Sequence, residues 1–291
     1  MASLLLRSTP AIGVALLLLA GQLPADGQQV ADPSFRPPID KPTFAPGKGP
    51  LVLIDEAHNN FHTATGRYLA FAELLRRDGY RVEGSTTPFT VEALRRAGVM
   101  VIANARKLTD APAFTEQEVA ALRSWIEQGG ALLLITDHPP MVEPASQIGT
   151  ALGIRHRNGA ARDPAAGTSR LIFRRADGTL RDHEITRGID QIATFTGSSF
   201  ELVAPGDPIL VFGPGVRSFA GPDDPNPVPI EGHLQGAVLQ VGKGRVAVFG
   251  EAAMFSAQVS GPDRRPMGMN ADVATQNARF LVNVMRWLAR R

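Results

Sequence analysis

Cysteine is absent from all 291 residues. That excludes thiol nucleophiles, thiolate metal sites, iron–sulfur clusters and disulfides together. An excess of one charge is missing too. Thirty Lys and Arg stand against 28 Asp and Glu, leaving +2, a balance that points to neither nucleic acid nor an anionic membrane as partner. Lysine itself is scarce, with only Lys41, Lys48, Lys107 and Lys243, and the arginines never form a long run. There is no GxSxG elbow, no HExxH helix and no glycine-rich phosphate loop after the first apolar strand. These gaps argue against a serine hydrolase, a zinc peptidase of the common type and a nucleotide-binding enzyme. No internal repeat is visible.

What remains is ordinary globular material, 44% hydrophobic and 20% charged, enough for a large core without covalent staples. The first residues read as an address. One charge at Arg7, the apolar stretch Ala11 to Ala20 and the sequence Leu23-Pro24-Ala25 form the three-part pattern of a signal peptide over 1–25. That apolar stretch is about ten residues, half the ~20 a bilayer span needs, so cleavage and a periplasmic or secreted destination are expected, with no integral membrane span left afterwards. Residues 26–50 are rich in Pro, Gly and Gln and read as an extended tether outside the core. One compact domain is expected over 51–291.

Within that domain the pattern alternates between strand and helix. LVLID (51–55), the segment 80–83, VMVIAN (99–104) and ALLLITDH (131–138) read as strands, the apolar runs among them as buried parallel ones. Tyr68, Phe71, Leu74 and Leu75 share a helix face that Gly79 ends. Thr115 with Glu118 makes a capping box for a helix burying Val119, Leu122, Trp125 and Ile126. The fold class is therefore α/β, a doubly wound and mostly parallel sheet with helices on both faces. The C-terminal half carries hairpins: one across Ala176-Asp177-Gly178-Thr179 joining 170–174 to 180–184, and one across Gly242-Lys243-Gly244. Residues 213–229 read as a long surface loop, and a closing helix over 274–289 buries Phe280, Leu281, Val284 and Leu288.

In such sheets ligands bind outside the carboxyl ends of the strands. The polar residues expected on that rim are Asp55, Glu56, His58 and His62 after the first strand, Asn104 after the third, Asp137 and His138 after the fourth, and Glu251 after VAVFG. Glu56, His138 and Glu251 are the catalytic candidates, since a buried Glu beside His138 has the makings of a general base. Asp55, His58, His62, Asn104 and Asp137 are the ligand-binding candidates. His58 and His62 are spaced HxxxH, which on one helical turn would aim both imidazoles at a zinc ion, with His138 and Asp137 or Glu251 completing the set. Asn59-Asn60 disfavours that helix, so no cofactor is assigned and zinc stays an alternative. Each residue also has a plain reading as a cap or a hydrogen-bonded loop residue.

The segments LVLIDEAHNNF, VMVIAN, GGALLLITDHP, HEITRGI and GKGRVAVFGEAAMF, in that order, resemble the class I glutamine amidotransferase-like superfamily, from residue 51 to the C-terminus. The resemblance is to exported bacterial members of unknown function and to the trehalose-utilisation (ThuA-like) branch, whose HPITRGL element is similar to His183–Ile189 with Glu184 in place of Pro. It implies a flavodoxin-like three-layer sandwich. True amidotransferases use a nucleophilic Cys with a His and a Glu, and here no Cys exists, so glutaminase chemistry by that route is excluded. The leading expectation is an exported amidotransferase-like domain that binds a small polar ligand, a carbohydrate being the candidate. A hydrolase using a metal or a carboxylate–His pair is the first alternative. A structural or partner-binding module, with 213–229 as its contact surface, is the second.

Overall fold

The computed structural model describes residues 29–290. The expected signal peptide and its cleavage position therefore lie outside the described residues. A nine-stranded sheet forms the centre. Its strands are β1 (Leu51–Asp55), β2 (Arg81–Ser85), β3 (Val99–Ala103), β4 (Ala131–Ile135), β5 (Ile154–Arg157), β6 (Ser199–Leu202), β7 (Asp207–Val211), β8 (Leu234–Val241) and β9 (Gly244–Phe249). The helices are α1 (Leu69–Arg77), α2 (Val91–Arg95), α3 (Glu116–Glu127), α4 (Val142–Ala151) and α5 (Asn277–Leu288). Strand order runs β2-β1-β3-β4-β9-β8-β6-β5, with β7 also pairing β8.

Every residue of β1, β3 and β4 is buried, because apolar side chains alternate onto two helix-covered faces. Val52, Ile54, Val101 and Leu133 pack with Phe71 and Leu75 of α1 and Phe280 and Val284 of α5. Leu53, Ile102, Leu132 and Leu134 pack on the other face with Leu94, Leu122, Ile126 and Ile148 of α2, α3 and α4. The capping box at Thr115 is present in both directions, Glu118 N to Thr115 Oγ1 at 3.2 Å and Thr115 N to Glu118 Oε2 at 3.0 Å.

The sheet is mixed where a mostly parallel one is expected. β2, β1, β3, β4 and β9 are mutually parallel, whereas β8, β7, β6 and β5 extend the sheet by antiparallel pairing. The cause is local. Val241 pairs with Gly244, so only two residues separate β8 from β9, far fewer than a parallel crossover requires.

The C-terminal half corrects two further expectations. Thr179 does close a turn on Asp177, but the chain beyond it is not the partner of 171–174. Leu171–Arg174 pairs instead with Gln191–Thr194. Of the expected strand 180–184 only Leu180 is apolar, and after its N donates to Arg174 O at 3.0 Å it bridges Leu210, whereas Ile192 packs in the same core cluster as Leu171 and Phe173. The expected surface loop 213–229 also contains paired strands. Arg217–Phe219 bridges Val228–Pro229 and Ala160–Arg162 in a small three-stranded sheet.

Residues 29–50 pack on the body rather than standing off as a tether. Val30 and Ala31 pair with Val259 and Gln258. Phe44 meets Tyr80 edge-on at 5.0 Å, and Phe35 and Ile39 lie against the core. The anchor is Asp78, buried at the end of α1, which accepts Thr43 N and Thr43 Oγ1 and pairs with Arg286 of α5 at 3.2 Å. Prolines shape this segment, but its aromatic residues give it something to bury.

Asn277 joins the layers. Its Oδ1 accepts Ala193 N at 3.1 Å, and its Nδ2 donates to Ala193 O at 2.8 Å and Met254 O at 3.1 Å. The side chain acts as a strand edge for 191–194 and ties the turn after β9 to α5. Asn277→Ala strands three buried backbone groups, so chemical denaturation should show a loss on the order of 2–4 kcal/mol. A change within about 0.5 kcal/mol would mean those groups find other partners.

Candidate functional site

Parallel register brings the strand ends together. Ala103 pairs with Ile135, and Ile135 with Phe249, so the residues just beyond β3, β4 and β9 arrive at one rim. The ladder continues one step past the strands through Asn104 N to Ile135 O and Thr136 N to Phe249 O. Asn104 then turns with φ +50°, a left-handed conformation that Asn tolerates better than most residues. The expected rim residues divide into three groups.

Asp55 and His58 form the first group, and they are engaged with each other. His58 Nδ1 lies 2.9 Å from both oxygens of Asp55, and its Nε2 lies 2.9 Å from Glu118 Oε1. Phe89 and Phe114 flank the ring at 4.7 and 4.3 Å. Burial alone would favour the neutral ring, but the two carboxylates outweigh it and raise the His58 pKa. Glu118 is drawn down on balance: burial opposes ionisation, and amide donors at Thr115 and Phe89 together with His58 overcome it. His58 is thus a buried cation fixing the loop after β1 to α3, with no ring nitrogen left for a ligand. Glu56 is likewise taken, accepting Ala64 N at 2.8 Å and lying against Gly84. It makes no contact with His138 or Glu251 in a catalytic pair.

The second group lines a crevice of about 280 Å³. Four expected residues, His62, Asn104, Asp137 and His138, are in its wall. They share it with Phe61, Arg67, Met141, Thr196 and Gln258, none of which stands out in the sequence. Asn104 Nδ2 is 3.3 Å from His62 Nδ1, which makes that nitrogen the acceptor and leaves the ring proton on Nε2. Burial and the charge of Arg67 push the His62 pKa down to about 3, so the ring is neutral. His62 Nε2, Asn104 Oδ1 and Gln258 Oε1 are all buried and have no hydrogen-bond partner among the described residues. Their residues line one crevice, and each of these polar atoms is itself enclosed and unmatched among the described residues, a costly arrangement for a merely structural wall.

Asp137 and Glu251 form the third group. Asp137 Oδ1 accepts His138 N and Thr196 Oγ1, both at 2.8 Å, and among the described residues no hydrogen bond falls on its Oδ2. Glu251 lies behind it, fully buried, with Oε1 accepting Ala253 N at 2.9 Å and Oε2 accepting Met254 N at 2.6 Å. Burial first, then the neighbouring Asp137 charge, raise the Glu251 pKa well above 4.5, against the pull of those amides. Tyr68, whose hydroxyl donates to Ala252 O at 3.1 Å, is also pushed up, by burial and by both acids. Contact here is close because Gly197, at φ +117°, lets the 196–198 turn approach β9. A Cβ there would lie 2.3 Å from Gly250 O and 2.9 Å from Glu251 Cγ. Glu251 is thus a support beneath the crevice, not part of its wall.

His138 is the exposed member, with Nδ1 2.8 Å from Pro139 O and Nε2 4.0 Å from Asp137 Oδ1. It also lines a neighbouring cavity of about 330 Å³ with Thr196, Arg162 and Phe219. The HxxxH pair does not form a helical turn, and its two rings serve different neighbours. Among the described residues no three His, Asp or Glu side chains gather as metal ligands would. No helix among them is long and apolar enough to cross a membrane.

The profile of the family described as "Domain of unknown function (DUF4350)" matches residues 61–258, more than half of the chain. That span includes His62, Asn104, Asp137, His138 and Glu251, and begins after Asp55, Glu56 and His58. No curated protein matches in sequence. Among solved structures, the mmIFT52 N-terminal domain shares the fold at 16% identity and TM-score 0.62, over 82% of this chain and 98% of that one. The cytoplasmic protein STM3548 from Salmonella typhimurium does so at 14% identity and TM-score 0.51, over 83% and 100%. A ThuA-like protein from Bacteroides uniformis aligns at 14% identity and TM-score 0.49, over 87% and 94%.

The acid pair generates a pH signature. An unfolded Glu loses its proton near pH 4.5, while folded Glu251 keeps it to higher pH. Between those values the folded state holds more protons, so this residue's contribution to stability falls as pH rises. Glu251→Gln removes that loss. Its melting temperature relative to wild type should therefore climb as pH rises from about 4.5 toward neutrality, as read by thermal melts across that range. A pH-independent difference would show that Glu251 ionises normally.

Proposed function

We propose that this chain, which belongs to the DUF4350 family, binds a small polar ligand in the crevice walled by His62, Asn104, Asp137, His138 and Gln258. The observation that carries the reading is the crevice wall, which gathers Asp137, with no hydrogen bond on its Oδ2 among the described residues, beside His62, Asn104 and Gln258, each holding a buried polar atom without a partner there. Its volume, about 280 Å³, is at the small end of the roughly 300–1,000 Å³ usual for ligand pockets, and suits a monosaccharide-sized molecule. The wall is mixed: amide and carboxylate groups for hydroxyls, with Phe61, Met141 and Met267 for apolar ring faces. That mixture supports a carbohydrate as the ligand class. The Arg7, apolar and Leu23-Pro24-Ala25 pattern supports export, and the lack of Cys supports an amidotransferase-like fold put to use without glutaminase chemistry.

A hydrolytic reading has less behind it, because Glu56 and Glu251 are each engaged away from the crevice and only the Asp137–His138 pair remains on the wall. Titration calorimetry of the full chain with a panel of monosaccharides tests the binding reading. Gln258→Leu and Asp137→Asn should weaken binding at least about tenfold while the unliganded melting temperature stays level or rises, since each removes an unsatisfied or crowded polar group. Absence of any heat with the whole panel, together with destabilisation in both variants, would refute it and make the wall a water-filled structural feature.

A further inference from the structure

Beside the unsatisfied wall stands an unpaired cation. Arg67 lines the crevice and lies with its guanidinium 3.5 Å from the centroid of Phe61. Arg106 reaches the same ring at 5.2 Å. Among the described residues neither guanidinium is paired with a carboxylate. Arg67 donates Nε and Nη2 to Gln29 O, at 3.3 and 3.2 Å, and Arg106 donates Nε to Asn59 O at 2.7 Å. These three bonds to carbonyls fix geometry without cancelling charge. The nearby Lys107 is neutralised by Glu143 at 3.1 Å, so the excess is confined to the two arginines. Burial and the Arg106 charge both make the cation on Arg67 less favourable, as expected for like charges held together on one phenyl ring.

We propose that the ligand of this crevice is a sugar acid, its carboxylate held by Arg67 with Arg106 adding field, and its hydroxyls met by Asn104, Gln258 and the free Oδ2 of Asp137. The inference rests on the ligand-binding reading above and narrows it to an anion. Geometry supports the division of labour. An anion near Arg67 neutralises a charge that the protein leaves unmatched, and a guanidinium is the side chain best shaped to take a carboxylate. The polar wall residues Asn104, Gln258 and Asp137 suit hydroxyls, from which the Asp137 carboxylate accepts. Asp137, a carboxylate in the same wall, disfavours a ligand that is anionic throughout, such as inorganic phosphate.

Calorimetry with the full-length protein decides the matter, using D-glucuronate and D-galacturonate against D-glucose, D-galactose, D-glucosamine, acetate and inorganic phosphate. At least one uronate should bind about tenfold or more tightly than its neutral parent, with affinity falling as salt is added. Arg67→Gln should reduce the uronate to the affinity of the neutral sugar. Arg106→Gln should lower it less, and Arg155→Gln, on the far strand β5, not at all. If Arg67→Gln fails to fold through loss of its bond to Gln29, Arg106→Gln and the salt dependence of the wild type carry the test. Equal affinity for neutral and acidic sugars would overturn the inference while leaving the binding reading intact. Acetate or phosphate binding as tightly as a uronate would overturn it as well, because the hydroxyls would then contribute nothing. Silence from every compound would overturn both.

Discussion

Two residues past the point where Ile135 of β4 faces Phe249 of β9, two acids meet beneath the crevice. Asp137 is nearly buried and Glu251 wholly so, and parallel pairing gives neither strand a way to carry its acid elsewhere. Much of the rim follows from accommodating that pair. Thr196 is drawn to Asp137, Gly197 is required where the next turn presses on Glu251, and the amides of Ala253 and Met254 are spent on the glutamate. The turn made by those amides positions Met254 O for Asn277, through which α5 is docked. Like charges in low dielectric are expensive, so Glu251 holds its proton to higher pH than an ordinary glutamate. The crevice sits on top of this arrangement and inherits its shape.

The Asp55–His58–Glu118 assembly is the electrostatic opposite. There a cation lies between two carboxylates, closed in by Phe89 and Phe114, and every polar atom of the ring is used. Such a site stabilises a loop and has no capacity left for chemistry. The comparison explains why His58 and His62, four residues apart, differ so sharply. One ring is charged and satisfied. The other is neutral and buried, with an Nε2 that has no partner among the described residues.

Support for the crevice comes from residues with unremarkable sequence contexts. Arg67 stands just before α1, Thr196 in the turn before β6, and Gln258 in a short strand paired with residues 30–31. Three separate parts of the chain contribute, and none carries a spacing signal. The segment 29–50 matters here as well, since Gln29 both lines the crevice and orients Arg67. A region whose prolines suggest only a spacer thus helps to close the pocket.

Periodicity and end signals were sufficient for the parallel strands 51–55, 99–103 and 131–135, the capping box at Thr115, the stop at Gly79 and the hairpin at Gly242-Lys243. Each depends on a few neighbouring residues and on the plain need to bury apolar runs. The rule that parallel strands end together likewise made Asn104, Asp137, His138 and Glu251 recognisable as rim residues from the sequence alone. Which of them face the crevice, which are occupied by partners and which serve as support was decided only by tertiary contacts. Glu118 neutralises His58 from 60 residues away, and Thr196 reaches Asp137 across 59. The pairing of 171–174 with 191–194 has the same origin, because strand partners are chosen by which apolar faces remain to be covered. Hydrogen bonds and charges between distant segments leave no periodic trace, and so they belong to the folded chain.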